Sequence, residues 1–324
     1  MKNLVKSIIS PLKLFLNKKR DRNLLRVLST LPMNNTGLTL IDIGAAFDIE
    51  PRWKQIEPFL NYVGFEPDER SRFDLNSKSN NCLNYKIIPY AVWDTVGTLD
   101  INFCRSPGAS SHFKPNQPFL DLFPDSRRFD ILETLKLDST TLDNLDLTRA
   151  DFIKLDIQGG ELNALKGGQN LLKTTLGLEI EVEFAAMYMK QPLFGEICTF
   201  LNGFEFEFID FVNISRWERT AYNNYGQCIY GDALFLRSPE YMMNMNENID
   251  LISKYLSICL LYNRFDLVDK MIGLLPDHFA KKYDEFLSQL IHLRRSNKVV
   301  RVLNKLSSSF FTLFGIEYRT HLFY

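Results

Sequence analysis

The chain has little of what usually holds a metal. Its four histidines, His112, His278, His292 and His321, form no H-x-x-x-H pair, and its five cysteines, Cys82, Cys104, Cys198, Cys228 and Cys259, form no C-x-x-C pair. That spacing excludes the common zinc knuckles. An odd number of widely separated cysteines also argues against a disulfide framework and for a reducing compartment. Excess positive charge is missing as well: with a net charge of -1 over 324 residues, the chain lacks the cationic surplus that a nucleic-acid backbone demands. No nucleic acid is expected as its main partner. No apolar run approaches the roughly 18 residues that span a bilayer, and no small-residue cleavage site follows an apolar core near the start. The expected compartment is the cytoplasm.

What is present reads as globular. Hydrophobic residues at 45% and charged residues at 24% set aside disordered and fibrous classes, and the length suggests one large domain plus an appendage. Residues 1–37 form a basic amphipathic segment, in which eight Lys/Arg against the single Asp21 alternate with Leu4, Val5, Ile8, Ile9, Leu12, Leu14, Phe15 and Leu16. It reads either as a solvated basic helix packed on the domain and broken near Pro11, or as a peripheral contact with an anionic membrane, where each basic residue contributes about 1 kcal/mol. Residues 240–324 carry leucine-rich helical periodicity with Pro276 as a helix start. This extension is either an accessory bundle or a surface for a homo-oligomer or another partner.

Between these ends the chain alternates β-rich runs with helical stretches, which argues for a mainly parallel sheet covered by helices. Strands are expected at 39–43, 62–66, 86–92, 152–157, 178–184, 204–211 and 233–236, with shorter ones at 98–103 and 129–137. The Pro- and Ser-rich residues 104–125 read as a long loop over the sheet edge, a type that often serves as a lid.

In an open parallel sheet, ligands bind beyond the carboxyl ends of the strands. The run TLIDIGAAFDIEPRW, residues 39–53, ends a strand near Asp42 and turns at Gly44, where the missing side chain lets backbone N–H groups approach a ligand. VGFEPD closes the next strand and puts Glu66 22 residues past Gly44, the spacing at which a carboxylate grips both hydroxyls of an adenosyl ribose. The turn does not read G-x-G-x-x-G, which counts against a dinucleotide and its pyrophosphate. S-adenosylmethionine, with a ribose and no phosphate, fits better. A third run, ADFIKLDIQGGELNALKGGQNLL, residues 150–172, is a buried strand interrupted by Lys154 and Asp156, then a Gly159–Gly160 turn and a helix from Glu161. Asp156 is a site carboxylate or, with Glu161, a helix cap contributing about 1 kcal/mol. The residues alone leave both readings open.

These blocks, together with IPYAVWDTVGTLDINF, KLDSTTLDNL, EIEVEFAAMYMKQPLFGEI and GDALFLR in that order, resemble FkbM-type S-adenosylmethionine-dependent methyltransferases over about residues 38–237. The resemblance implies an α/β fold: a Rossmann-like class I methyltransferase sheet with helices on both faces over 38–239, followed by the all-helical extension. It places Asp42, Gly44 and Ala45 at the methionine end of S-adenosylmethionine, Glu66 and the adjoining Pro67 at its ribose, and Ala91 and Val92 near its adenine. Asp156 becomes the leading candidate for orienting or deprotonating the acceptor. The implied reaction is O-methylation of a hydroxyl on a sugar, glycan or glycosylated acceptor.

The chain departs from the family pattern where Ala46 and Asp48 replace Asn and Gly, and where Gln158 stands at a position often held by Glu. Asp48 is expected either to cap the helix ahead of Pro51 or to pair with the methionine ammonium. Gln158 keeps the shape of Glu without its charge, which leaves the base role to Asp156. His112, in the long loop, is a second candidate base. The aromatic region 184–194, including Tyr188, either stacks on a sugar face or belongs to the core. Two rival readings accompany the enzyme: a non-catalytic methyltransferase fold that docks through its helical tail, and a metal-assisted transferase using Asp156 with Glu181.

Overall fold

The computed structural model describes residues 22–33, 36–46, 48–69, 72, 80–145, 147, 149–220, 226–245 and 248–294. They fall into two compact units: Gly37–Tyr241, and the described parts of residues 1–36 and 242–324. In the first unit the described strands are β1 (Leu38–Ile43), β2 (Leu60–Phe65), β3 (Asn84–Ile88), β4 (Ala91–Val92), β5 (Gly97–Cys104), β6 (Ile131–Thr140), β7 (Phe152–Leu155), β8 (Gly177–Glu183), β9 (Glu207–Trp217) and β10 (Gln227–Leu236). Seven of them make one sheet in the order β3-β2-β1-β7-β8-β10-β9, and β4, β6 and β5 make a second. The first five strands of the large sheet run parallel, and β10 runs antiparallel to both β8 and β9. The order of strands reverses between β1 and β7, and such a switch point opens a crevice at the carboxyl ends of the strands.

Side chains alternate between the faces of a strand, and here the alternation sorts chemistry. Ile41, Ile43, Ile153, Leu155, Leu178, Ile180 and Val182 enter one apolar cluster with Leu162, Leu165, Leu172, Ile197 and Leu201 from helices Glu161–Lys166, Gln169–Leu172 and Phe194–Asn202. Burying each of these large side chains stabilises the fold by about 1.5–3 kcal/mol. The opposite face carries Asp42, Lys154 and Glu179 in register across β1, β7 and β8, and Glu181 opposite Asp232 across β8 and β10.

Two expected strands need correction. The run 86–92 is broken at Pro89 and Tyr90, so β3 stays in the large sheet while β4 pairs with β6; a proline has no N–H to continue the ladder. Residues 204–206 belong to the exit from helix Phe194–Asn202, with the Phe206 amide on the Leu201 carbonyl at 3.2 Å. The β9/β10 hairpin instead runs further, past half-exposed Ser215 and Arg216 that disguise it as loop, and its register shifts three times.

Residues 104–125, expected as a lid-like loop, are packed. Ala109, Leu120 and Phe123 join Phe129, Met187, Tyr188 and Ile229 in a second apolar cluster. The Asn116 amide donates to Met187 O at 2.8 Å and the Met189 amide to Lys114 O at 2.7 Å.

The second unit is helical among its described residues, with helices at 22–28, Ile249–Leu261, Phe265–Leu274, Asp277–Ala280 and 284–294. Asn248 caps Ile249–Leu261, its side chain accepting from the Asp250 amide at 2.9 Å. Every residue from Leu251 to Leu261 is buried, as a central helix requires. Pro276 is the N-cap residue of Asp277–Ala280. Most of the basic N-terminal segment, residues 1–21, lies outside the described residues, and the membrane reading with it. No described helix is long and apolar enough to cross a membrane.

Candidate active site

The site begins where β1 and β2 end. The amides of Gly44 and Ala45 both donate to Phe65 O at 3.0 Å, which draws the first turn against the residue before Glu66. Gly44 adopts φ +88°, and a Cβ there would overlap the Asp156 carbonyl oxygen; only glycine serves both demands. Asp42 is buried and takes a 2.8 Å hydrogen bond from the Tyr62 hydroxyl on its Oδ2. Its Oδ1 has no hydrogen-bond donor among the described residues, only Lys154 Nζ at 3.8 Å. Burial outweighs Lys154 and Tyr62 and leaves its pKa above the ordinary carboxylate value. Glu66 is also buried, its Oε1 accepting the Asp68 amide at 2.7 Å, and burial pushes its pKa up to about 7. Pro67 adjoins it. The Glu66 amide donates to Ile88 O at 3.1 Å, three residues before Ala91, so the ends of β1, β2 and β3 converge.

β7 supplies the other side. The Asp156 amide donates to Ile43 O at 3.0 Å, which sets Asp156 directly against the Gly44 turn. Its side chain is 38% exposed, and Lys154 Nζ lies 3.8 Å from its Oδ2, the same distance as from Asp42 Oδ1. The ammonium thus stands between the two aspartates, and together with Glu179 and Asp232 they hold it protonated beyond the usual lysine range despite burial. Asp156 does not cap the helix that follows; the N-cap position is Gly160, without a side-chain bond. Glu161 does brace the turn, accepting the Ile157 amide at 2.8 Å.

Behind this edge stand further carboxyls, of which sequence reading named Glu161 and Glu181 but passed over Glu179, Glu183 and Asp232. Glu179 pairs with Arg52 at 2.7 Å. Glu183 is fully buried, and desolvation together with neighbouring acids holds Glu181 and Glu183 well above the ordinary range. Burial likewise raises Glu161 and Asp232 to about 7. The readable signal is the segment LEIEVE, whose strict alternation puts three glutamates on one face of a central strand.

Other expected residues fall elsewhere. Asp48 turns to Lys54 and to the Ile49 amide, with its side chain 44% exposed, and the helix Pro51–Lys54 is capped by Glu50 instead. Val92 is buried in the main apolar cluster and Ala91 lies beside it in β4. His112 Nδ1 is 2.9 Å from Asp100 O, and its ring packs on Trp93 and Phe113. Those two aromatics flank Gly160 and Gly159 respectively, so the histidine is near the β7 turn, held by β5 and by Trp93 after β4. Tyr188 is fully buried in the second cluster and belongs to the core, and the partly buried Phe184 and Phe194 pack on the main one.

The family model for the methyltransferase FkbM domain matches residues 42–208, just over half of the chain. The chain belongs to the FkbM methyltransferase family. That membership implies S-adenosylmethionine as the methyl donor. Among solved structures, it is similar to the methyltransferase FkbM from Methylobacillus flagellatus KT, at 14% identity and TM-score 0.37, over 62% of this chain and 43% of that one. The chain therefore spans less than half of that protein's length. It is also similar to a precorrin-6y C5,15-methyltransferase from Geobacter metallireducens GS-15, at 13% identity and TM-score 0.31, over 65% and 86% of the two chains. No curated protein matches. The residues of this FkbM protein fit the methyl donor: a glycine-only cradle at Gly44, an Asp42 oxygen with no hydrogen-bond partner among the described residues, and a buried Glu66 carboxyl able to accept hydrogen bonds from hydroxyls.

Proposed function

We propose that this protein transfers a methyl group from S-adenosylmethionine to a hydroxyl of a sugar, glycan or glycosylated acceptor. When bound, S-adenosylmethionine supplies a methyl already activated by a sulfonium leaving group. What the protein must add is position and a place for the proton. Glu66 accepts the ribose hydroxyls and Asp42 serves the methionine end, beside the N–H groups of the Gly44 turn. Asp156 accepts the proton of the acceptor hydroxyl, and Lys154 ties its orientation to that of Asp42. Placement in a near-attack geometry supplies about 7–11 kcal/mol, and a general base about 10²–10⁴-fold.

One observation carries the reading: Asp156, with its side chain partly exposed, has its backbone against the glycine turn whose neighbour is Glu66, across the switch point of the sheet. Calorimetric titration with S-adenosylmethionine tests it, with Glu66→Ala beside the wild type. We expect micromolar binding that weakens by about tenfold or more in the variant, the loss of a charge-assisted pair of hydrogen bonds. Folded wild-type protein that does not bind would overturn the reading.

A further inference from the structure

The structure gives the Gln158 amide a use that an ionised carboxylate does not serve. Its backbone takes φ +57°, a left-handed conformation that side-chain-bearing residues seldom adopt. The turn is fixed by the Ser111 hydroxyl, which donates to Gln158 O at 2.7 Å. So placed, Nε2 donates to Glu181 Oε1 at 2.6 Å and to Asp156 Oδ1 at 3.0 Å. On the other side the Tyr188 hydroxyl lies 3.1 Å from Oε1. An amide nitrogen has two protons to give, and here both go to carboxyl groups. The reversed amide would set its oxygen against two carboxyl oxygens, so Asp156 and Glu181 fix the orientation, while the Tyr188 hydroxyl, 3.0 Å from Ala109 O as well, holds the far end.

We propose that Gln158 is the positioning residue for Asp156: its amide, held at its far end by Tyr188 and donating to Asp156 and Glu181 together, fixes the Asp156 carboxylate at the mouth of the site. Every other element packed there adds charge. Lys154 is on β7, Asp42 on β1, Glu179 and Glu183 on β8, Asp232 on β10 and Glu161 on the following helix. Among so many acids, a glutamate at position 158 would offer one O–H donor when protonated and none when ionised, in place of two N–H donors. A cation bridging Asp156 and Glu181 would have to displace the same amide, which sets the metal-assisted reading against this geometry. The inference rests on Asp156 as the proton acceptor of the proposed transfer, but its first test needs no acceptor.

In full-length protein labelled with ¹³C at aspartate carboxyls, the Asp156 signal is assigned with Asp156→Asn and followed against pH. Gln158→Glu removes the donor and adds a like charge, so the Asp156 midpoint should rise by about one pH unit or more. Tyr188→Phe leaves the amide but frees its far end, and should move the midpoint the same way by less. It also keeps the test alive should Gln158→Glu fail to fold. An Asp156 midpoint unchanged in the folded variants overturns the proposal. Tritiated S-adenosylmethionine with hydroxyl-bearing glycosides supplies the second readout: for any glycoside that is methylated, Gln158→Glu should lower kcat, leave KM near wild type and move the acid limb of the profile upward. Wild-type protein that methylates none of them would count against the transfer reading, while the carboxyl titration still decides the role of Gln158.

Discussion

The two faces of the large sheet are made by the same strands and do opposite things. On one, Ile41, Ile153, Ile180 and Val182 are closed by helices into a single apolar cluster. On the other, Asp42, Lys154, Glu179, Glu181 and Asp232 stand in register, with Asp156 at the edge. The first face gains free energy from burial alone. The second loses it: an ionised carboxyl taken from water is costly unless paired, and one lysine and Arg52 do not balance the acids. Glu161, Glu181, Glu183 and Asp232 respond by holding their protons above the usual range. A fold keeps such a face where stability is not the only requirement.

Three substitutions probe the contrast. Asp156→Asn strikes the working edge of the polar face. Methyl transfer should fall about 10²–10⁴-fold in a single-turnover assay, while S-adenosylmethionine affinity by calorimetry stays within a few-fold. An unchanged rate would remove Asp156 from the chemistry. Ile180→Ala strikes the other face, at a side chain with no exposure. It should cost about 2–5 kcal/mol in urea unfolding and leave donor affinity at the native baseline; a much smaller loss would show that the cluster collapses around the gap.

Glu181→Gln is the mildest and the most pointed. Because the folded protein holds the Glu181 proton well above the ordinary glutamate pKa of 4.5, that group's contribution is fully present below the unfolded value. It is lost as pH rises through the folded one. Wild-type stability should therefore decline as pH rises from about pH 5. The variant has no proton to lose there, so it should decline less steeply and be within about 1 kcal/mol of wild type at pH 5. Thermal melts at rising pH decide it, and parallel curves would mean that Glu181 does not titrate with folding.

Much of the site was legible before the fold was known, because its signals are local. A strand that ends in Asp42 and turns at Gly44, an acid 22 residues later, and a charged interruption of a buried strand at Asp156 each follow from backbone sterics and two-residue alternation. Other parts were hidden for a physical reason. Tyr62 reaches Asp42 only because β2 lies beside β1 in that register. Gln158 looked like a lost base, since its partners Ser111, Glu181 and Tyr188 are 47, 23 and 30 residues away in the chain. Local pattern likewise offered Asp48 as a cap, although Lys54, six residues on, draws it away and Glu50 takes that place.

By itself, then, the sequence determined where strands end and which residues stand at those ends, since hydrophobic period and glycine conformation act over a few residues. Tertiary structure alone decided which carboxyls share a face, which keep their protons and which amide lies between them. Those depend on strand order and register, and electrostatic energy depends on distance through space, which the spacing of residues along the chain does not contain.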